Sequence, residues 1–282
     1  MKKINVFLLL LIAMFSCRCS KDPEAPPRYF PTTPVDKGWT FESTPAWADE
    51  FDYAGAPDPA KWSYDIGGSG WGNNELQYYT NSTKNAVVGD GVLTITARKE
   101  TMGNRNYTSA RMISRGEGDF LYGRIEVKAK LPAGKGTWPA LWMLPTDWEY
   151  GDWPKSGEID IMEHVGYDLN KVHISVHTES YNHRLGTQKS NSRVVDNATT
   201  EYHLYRIDWT PYAIRGYIDD VFVFQHVNEG KGAAAWPFDK KFHLLFNVAF
   251  GGDWGGAQGI DESVLPASML VDYVRVYKMI DK

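Results

Sequence analysis

Three carboxylates crowd one short stretch, Ser156-Gly157-Glu158-Ile159-Asp160-Ile161-Met162-Glu163-His164. Ile159 and Ile161 alternate with Glu158 and Asp160, the period-2 pattern of a strand with one apolar and one acidic face. Strict alternation would turn Met162 to the acidic face and Glu163 to the isoleucines, where an ionised carboxylate is costly to bury. One extra residue, a β-bulge at Ile161-Met162, returns Glu163 to the face of Glu158 and Asp160. Carboxylates sharing a face repel one another, which drives at least one pKa upward and lets an acid and a base coexist near neutral pH. An acidic strand face can also be no more than a polar exterior.

The flanking residues favour chemistry. Trp138, Trp142, Trp148 and Trp153 all precede the acidic stretch closely, and the chain holds eleven Trp in all, more than core packing alone calls for. Aromatic rings beside carboxylates suit a sugar-binding cleft, in which rings stack on pyranose faces and carboxyl groups attack the glycosidic bond. With the bulge, residues 158 and 163 behave as i and i+4, roughly 13 Å apart at the Cα atoms for a rise of about 3.3 Å per residue. Two long side chains leaning together can close most of that gap, so the spacing is compatible with a retaining mechanism, which needs carboxyl groups about 5–5.5 Å apart.

These residues must be held by strands. Val92–Ala97, Gly123–Ala129, Val172–His177, the run from Tyr217 to Phe224, Phe242–Val248 and Met269–Tyr277 alternate or run apolar between Gly, Asn and Asp clusters, with no long helical pattern. Many short strands with turn signals predict a sandwich of two antiparallel sheets. At 282 residues with 43% hydrophobic content, the chain can build one large all-β domain or two small ones; no repeat or boundary shows after Trp39. His173 and His177 have a zinc-ligand spacing on a helix but lie on an alternating strand, on the carboxylate face and too far apart to share an ion. His177 is expected to be a polar cleft residue near Glu163, and His173 a solvated one. A net charge of −5 argues against nucleic acid as partner.

GEIDIMEHVG resembles the catalytic strand of glycoside hydrolase family 16 in its bulged E-x-D-x-x-E form, typical of laminarinase-like endo-β-1,3(4)-glucanases. The resemblance runs through WADEFDY, GWGNNELQYYT, DGVLTITARKE, YGRIEVKAKLPAGKGTWPALWMLP, YRIDWTPYAIRGYIDD, WPFDKKFHLLFNVAFGGDWGG and VDYVRVY, in order, over about residues 39–278. It implies a β-jelly roll with a concave substrate cleft and an endo-acting, retaining β-glucan hydrolase that works as a monomer without a catalytic cofactor. It assigns Glu158 as nucleophile and Glu163 as acid/base, with Asp160 between them expected to hydrogen-bond Glu158 and modulate the local charge. Asn73, Glu75, Arg111, Trp138 and Trp142 correspond to substrate contacts, although Trp142, inside an apolar run, reads equally well as core. Ala110 stands where the family usually has Gly before the arginine, which puts the local backbone shape in question. A structural calcium ion would fall to the carbonyls of Glu50 and Gly91 and the carboxylate of Asp272. A non-catalytic glucan-binding protein, and an enzyme of the same fold acting on a galactan or as a transglycosylase, are the alternatives. The His177–Lys189 segment and the loop from Trp148 to Trp153 are expected to shape linkage preference.

At the amino terminus, Met1-Lys2-Lys3 and the apolar run Ile4–Phe15 form a signal peptide too short to span a bilayer. Met14-Phe15-Ser16-Cys17 resembles a bacterial lipobox. The expected organisation is a signal peptide over 1–16, a Pro-rich tether over 17–38 lipidated at Cys17, and a catalytic domain over 39–282, held at the cell envelope.

Overall fold

The computed structural model describes Asp36 and residues 38–280; Cys17, the signal peptide and nearly all of the tether lie outside the described residues. Alternating strands dictate the architecture. In Gly123–Lys130, Ile125, Val127 and Ala129 are buried while Arg124, Glu126 and Lys128 face outward, as one strand of a sheet packed on one side requires. That strand sits mid-sheet, between His203–Trp209 and Ala267–Tyr277, in a ten-stranded sheet. A second, eight-stranded sheet has the order Lys189–Val194, Lys171–His177, Glu158–His164, Thr137–Pro145, Phe242–Phe250, Arg111–Ile113, Ser63–Tyr64, with Asp119–Phe120 also paired to Phe242–Phe250. The pairings are antiparallel apart from the short Gln77–Tyr79 strand, which runs parallel to Arg105–Ser109. The described residues form one β-jelly-roll sandwich.

Between the sheets lies one core. Ile125, Val127, Met269 and Val271 come from one side and Leu141, Met143, Ile159, Ile174, Leu244 and Phe246 from the other. Each fully buried aliphatic side chain adds about 1.5–3 kcal/mol. The strand Phe242–Phe250 is buried at every position, for two different reasons. Leu244, Phe246 and Val248 enter the core, whereas Asn247 and Ala249 line a cleft on the sheet's other face. An uninterrupted apolar run is therefore a mid-sheet strand with the core on one side and a cleft floor on the other.

The expected bulge is present. Asp160 pairs with Ser175 and Glu163 with His173, so Ile161 and Met162 together oppose Ile174. On the other edge Met162 pairs with Leu141 and Asp160 with Trp142, leaving Ile161 as the extra residue. Both Ile161 and Met162 are fully buried, so the bulge buries two apolar side chains in succession and keeps Glu163 out of the core. The strand is entered through Gly157 at φ 89°, where a Cβ would come within 2.8 Å of Pro237 Cγ. Only glycine suits that turn.

Candidate active site

The cleft on the eight-stranded sheet encloses about 400 Å³ and is lined by tryptophans 71, 138, 142, 148 and 153 together with Glu158, Asp160 and Glu163. Asn73, Glu75 and Arg111 line it too. Trp142 is thus a cleft residue: its Nε1–H donates to Asn247 Oδ1 at 2.7 Å, and the Arg111 guanidinium lies 4.7 Å from its ring centroid. The same guanidinium is 4.8 Å from the Trp71 ring and forms an ion pair of 2.9 Å with Asp65. Ala110 is fully buried and is not among the positive-φ residues, so the alanine leaves the arginine's backbone unstrained.

Each glutamate of the bulged strand accepts a hydrogen bond from a tryptophan. Trp153 Nε1–H donates to Glu158 Oε2 at 2.9 Å, and Trp138 Nε1–H donates to Glu163 Oε1 at 3.1 Å. Asp160, almost fully buried, accepts from Ser175 Oγ at 2.6 Å. Its partners are Ser175 and His177 on the neighbouring strand rather than Glu158, and it acts on Glu158 through the expected charge effect. His177 bears on both glutamates. Register sets it opposite Glu158, with Nε2 3.4 Å from Asp160 and 3.7 Å from Glu158. The residue opposite Glu163 is His173, whose ring packs edge-on against Trp254 at 5.1 Å instead of standing in solvent.

Burial and the Asp160 charge raise the Glu158 pKa to about 7, while His177, the Trp153 hydrogen bond and Arg111 oppose that rise. Glu163 is raised well above the ordinary carboxylate range by burial, then by Asp160, with the Glu158 charge adding to the rise. The two titrations are linked. Arg111 helps Glu158 ionise, and the charge so formed helps Glu163 keep its proton. For His177, burial favours the neutral ring. The Asp160 contact and the charges of Glu158, Asp160 and Glu163 overcome this and lift its pKa to about 9. The imidazole is then a cation at neutral pH. Glu158, Asp160 and His177 lie close enough together to hold a metal ion, and an ion there would have to displace the imidazole proton.

Glu75 is buried, and its pKa is raised by that burial. Its Oε2 accepts from Gln77 Nε2 at 2.6 Å and from Tyr79 Oη at 2.9 Å. Tyr79 Oη accepts in turn from Asn247, whose other amide atom holds Trp142. Trp71, Ser175, His183, Arg184 and Asn247 are site residues not singled out from the sequence, although Trp71 lies in GWGNNELQYYT and Asn247 in WPFDKKFHLLFNVAFGGDWGG. Ser175 was within reach, since it shares a strand face with His173 and His177. His183 and Arg184 lie in the segment expected to shape linkage preference, and both line the cleft.

The calcium positions do come together, where Ala267–Tyr277 passes from pairing with Leu93 to pairing with Asp49. However, Asp272 Oδ2 lies 2.9 Å from Lys128 Nζ, and the Glu50 carboxylate accepts two hydrogen bonds from Arg275. The Asp272 carboxylate is thus paired with a lysine at the surface, and Arg275 holds the Glu50 carboxylate, leaving its carbonyl out of that pair.

Residues 73–275 match the profile of glycosyl hydrolases family 16. A β-glucanase of Rhodothermus marinus is 54% identical over 243 residues, which span 83% of this chain and 85% of the relative. The glucan endo-1,3-β-glucosidase A1 of Niallia circulans is 37% identical over 271 residues, 88% of this chain and 39% of that longer protein. Among solved structures, the laminarinase of Rhodothermus marinus superposes with a TM-score of 0.84 at 52% identity, covering 86% of this chain and 99% of that one.

Proposed function

The chain belongs to family 16 of the glycosyl hydrolases, and on that premise we propose that its cleft hydrolyses internal linkages of β-1,3-glucan or mixed-linkage β-1,3/1,4-glucan with retention of configuration. One observation carries the proposal. The bulge brings Glu158 and Glu163 to the same aromatic cleft, where burial and Asp160 raise both carboxyl groups and Arg111 favours ionisation of Glu158. Glu158 attacks the anomeric carbon as the bond to the leaving oxygen breaks, and Glu163 gives its proton to that oxygen. A water then attacks the anomeric carbon and surrenders a proton to Glu163, releasing Glu158. Asp160, fixed by Ser175 and His177, holds negative charge beside the strand and keeps the Glu163 proton in place. No step calls for a metal or an organic cofactor.

Reducing-sugar release from a panel of β-glucans and galactans tests the substrate class, and β-anomer first in proton NMR of early products tests retention. Glu163→Ala, given an activated aryl glycoside and azide, should yield a β-glycosyl azide; Glu158→Ala should yield the α-azide by a single inversion. Exchanged stereochemistry would reverse the two roles.

We further propose that the protein acts as a monomer tethered to the cell envelope through lipid on Cys17, a reading that rests on the lipobox-like sequence. Mass spectrometry of the membrane-extracted protein should find a diacylglyceryl amino-terminal Cys17; soluble protein with an unmodified Cys17 would refute it. Because Lys128 occupies the Asp272 carboxylate, EDTA should change neither activity nor melting temperature.

A further inference from the structure

Both catalytic carboxyl groups receive an indole N–H, and both indoles are fixed by further rings. The Trp153 ring is flanked by the Arg184 guanidinium at 4.5 Å, the His183 ring at 5.1 Å and the His177 ring at 5.9 Å. Trp138 packs edge-on against Trp254 at 5.5 Å, and Trp254 against His173, the cross-strand partner of Glu163. An indole that served only as a stacking platform would need neither the hydrogen bond nor the wedge.

We propose that Trp153 and Trp138 are positioning residues that fix which oxygen of each catalytic carboxyl does the chemistry: Glu158 attacks through Oε1, and Glu163 carries its proton on Oε2. This rests on the roles given above to the two glutamates. Indole N–H is a donor only. Against a neutral carboxyl group it selects the carbonyl oxygen, the stronger acceptor, so the Glu163 proton resides on Oε2. When Oε2 releases that proton to the leaving oxygen, the negative charge spreads onto Oε1, where the Trp138 N–H already stands to receive it. At Glu158 the Trp153 N–H occupies Oε2, and Oε1 forms the bond to the anomeric carbon as the glycosidic C–O bond breaks. The electron pair of that bond leaves with the departing oxygen, which takes the Glu163 proton. Preorganised donors of this kind need no rearrangement during reaction.

The test replaces N–H while keeping a ring. Trp138→Phe and Trp153→Phe are compared with wild type for kcat, KM and pH dependence on soluble β-glucan, and on an activated aryl glycoside. Losing a hydrogen bond to a charged group should lower kcat on the order of 10- to 100-fold with KM within about twofold. The other charges bearing on the pair stay in place: Asp160 on the same strand, His177 and His173 opposite, Arg111 from Arg111–Ile113, and Glu75, Asp152, His183 and Arg184 around the cleft. Both lost bonds favour the ionised carboxylate, so Trp138→Phe should move the alkaline limb upward and Trp153→Phe the acid limb upward. With the aryl substrate the Trp138→Phe deficit should shrink while that of Trp153→Phe persists. If both variants keep the wild-type limbs and alter only KM, the indoles are stacking platforms and the proposal fails, whatever Glu158→Ala and Glu163→Ala show. If the limbs move in the opposite assignment, the positioning stands and the glutamate roles are exchanged. Should a phenylalanine variant melt early, site-specific benzothienylalanine, which puts sulfur in place of N–H in the same ring outline, decides the question.

Discussion

His177→Gln gives the most direct check on the electrostatics of the cleft. The His177 pKa near 9 makes the ring a cation at neutral pH, with Nε2 3.7 Å from Glu158 and 3.4 Å from Asp160. At an effective dielectric constant of about 20, unit charges at such a separation interact by about 4 kcal/mol, equivalent to about 3 pKa units. Asp160 shares the same cation and Glu158 keeps some exposure, so about 1–2 units is the expected change. Its sign is fixed: a nearby cation favours the carboxylate, and removing it lets Glu158 hold its proton to higher pH. The acid limb of kcat/KM, set by the Glu158 pKa of about 7, should therefore rise to about 8–9. His177 also lowers the pKa of Glu163, so the alkaline limb should rise as well and the bell should translate instead of narrowing. The assay is initial-rate reducing-sugar release from soluble β-glucan in constant-ionic-strength buffers. An acid limb that stays in place or moves down would show that His177 is neutral in the free enzyme, and the cation argument would fail.

Other outcomes follow from the same geometry. Ser175→Ala removes the 2.6 Å donor to Asp160, so kcat should drop about tenfold while KM holds; unchanged kcat would show that Asp160 needs no such anchor. Arg111→Lys gives up the planar stack between Trp71 and Trp142, and KM for long glucan should rise about tenfold with a smaller change in kcat. His164 and His243 are buried and their pKa values are pushed down to about 4, chiefly by that burial. The unfolded chain therefore binds more protons between about pH 6.5 and 4, and stability present above pH 6.5 should be lost across that window, about 2–4 kcal/mol for each histidine. A melting temperature flat from pH 7 to 4 would contradict this.

The acidic strand was legible because its chemistry and its fold make the same demand. An alternating strand cannot place Glu163 beside the isoleucines, so E-x-D-x-x-E implies a bulge before any coordinate is known, and the register shows Ile161 and Met162 opposing one residue. Trp142 was not legible in that way. A large ring in an apolar run suits either face of a strand, and only the sheet's two surroundings, core beneath and cleft above, decide which. His173 and His177 share one strand face with Ser175 between them, and their partners depend on how strand Lys171–His177 is staggered against the bulged strand. Long-range placement likewise made Arg111, 47 residues before Glu158, a neighbour of Trp71, Trp142 and Asp65. Local alternation and the cost of burying charge are short-range rules, and they settled the bulge, the strands and the shared carboxylate face. Strand order, stagger and ring packing are set by contacts between distant segments. Those contacts decided which histidine meets which glutamate, which tryptophan holds which carboxyl oxygen, and why two like residues on one strand have different proton affinities.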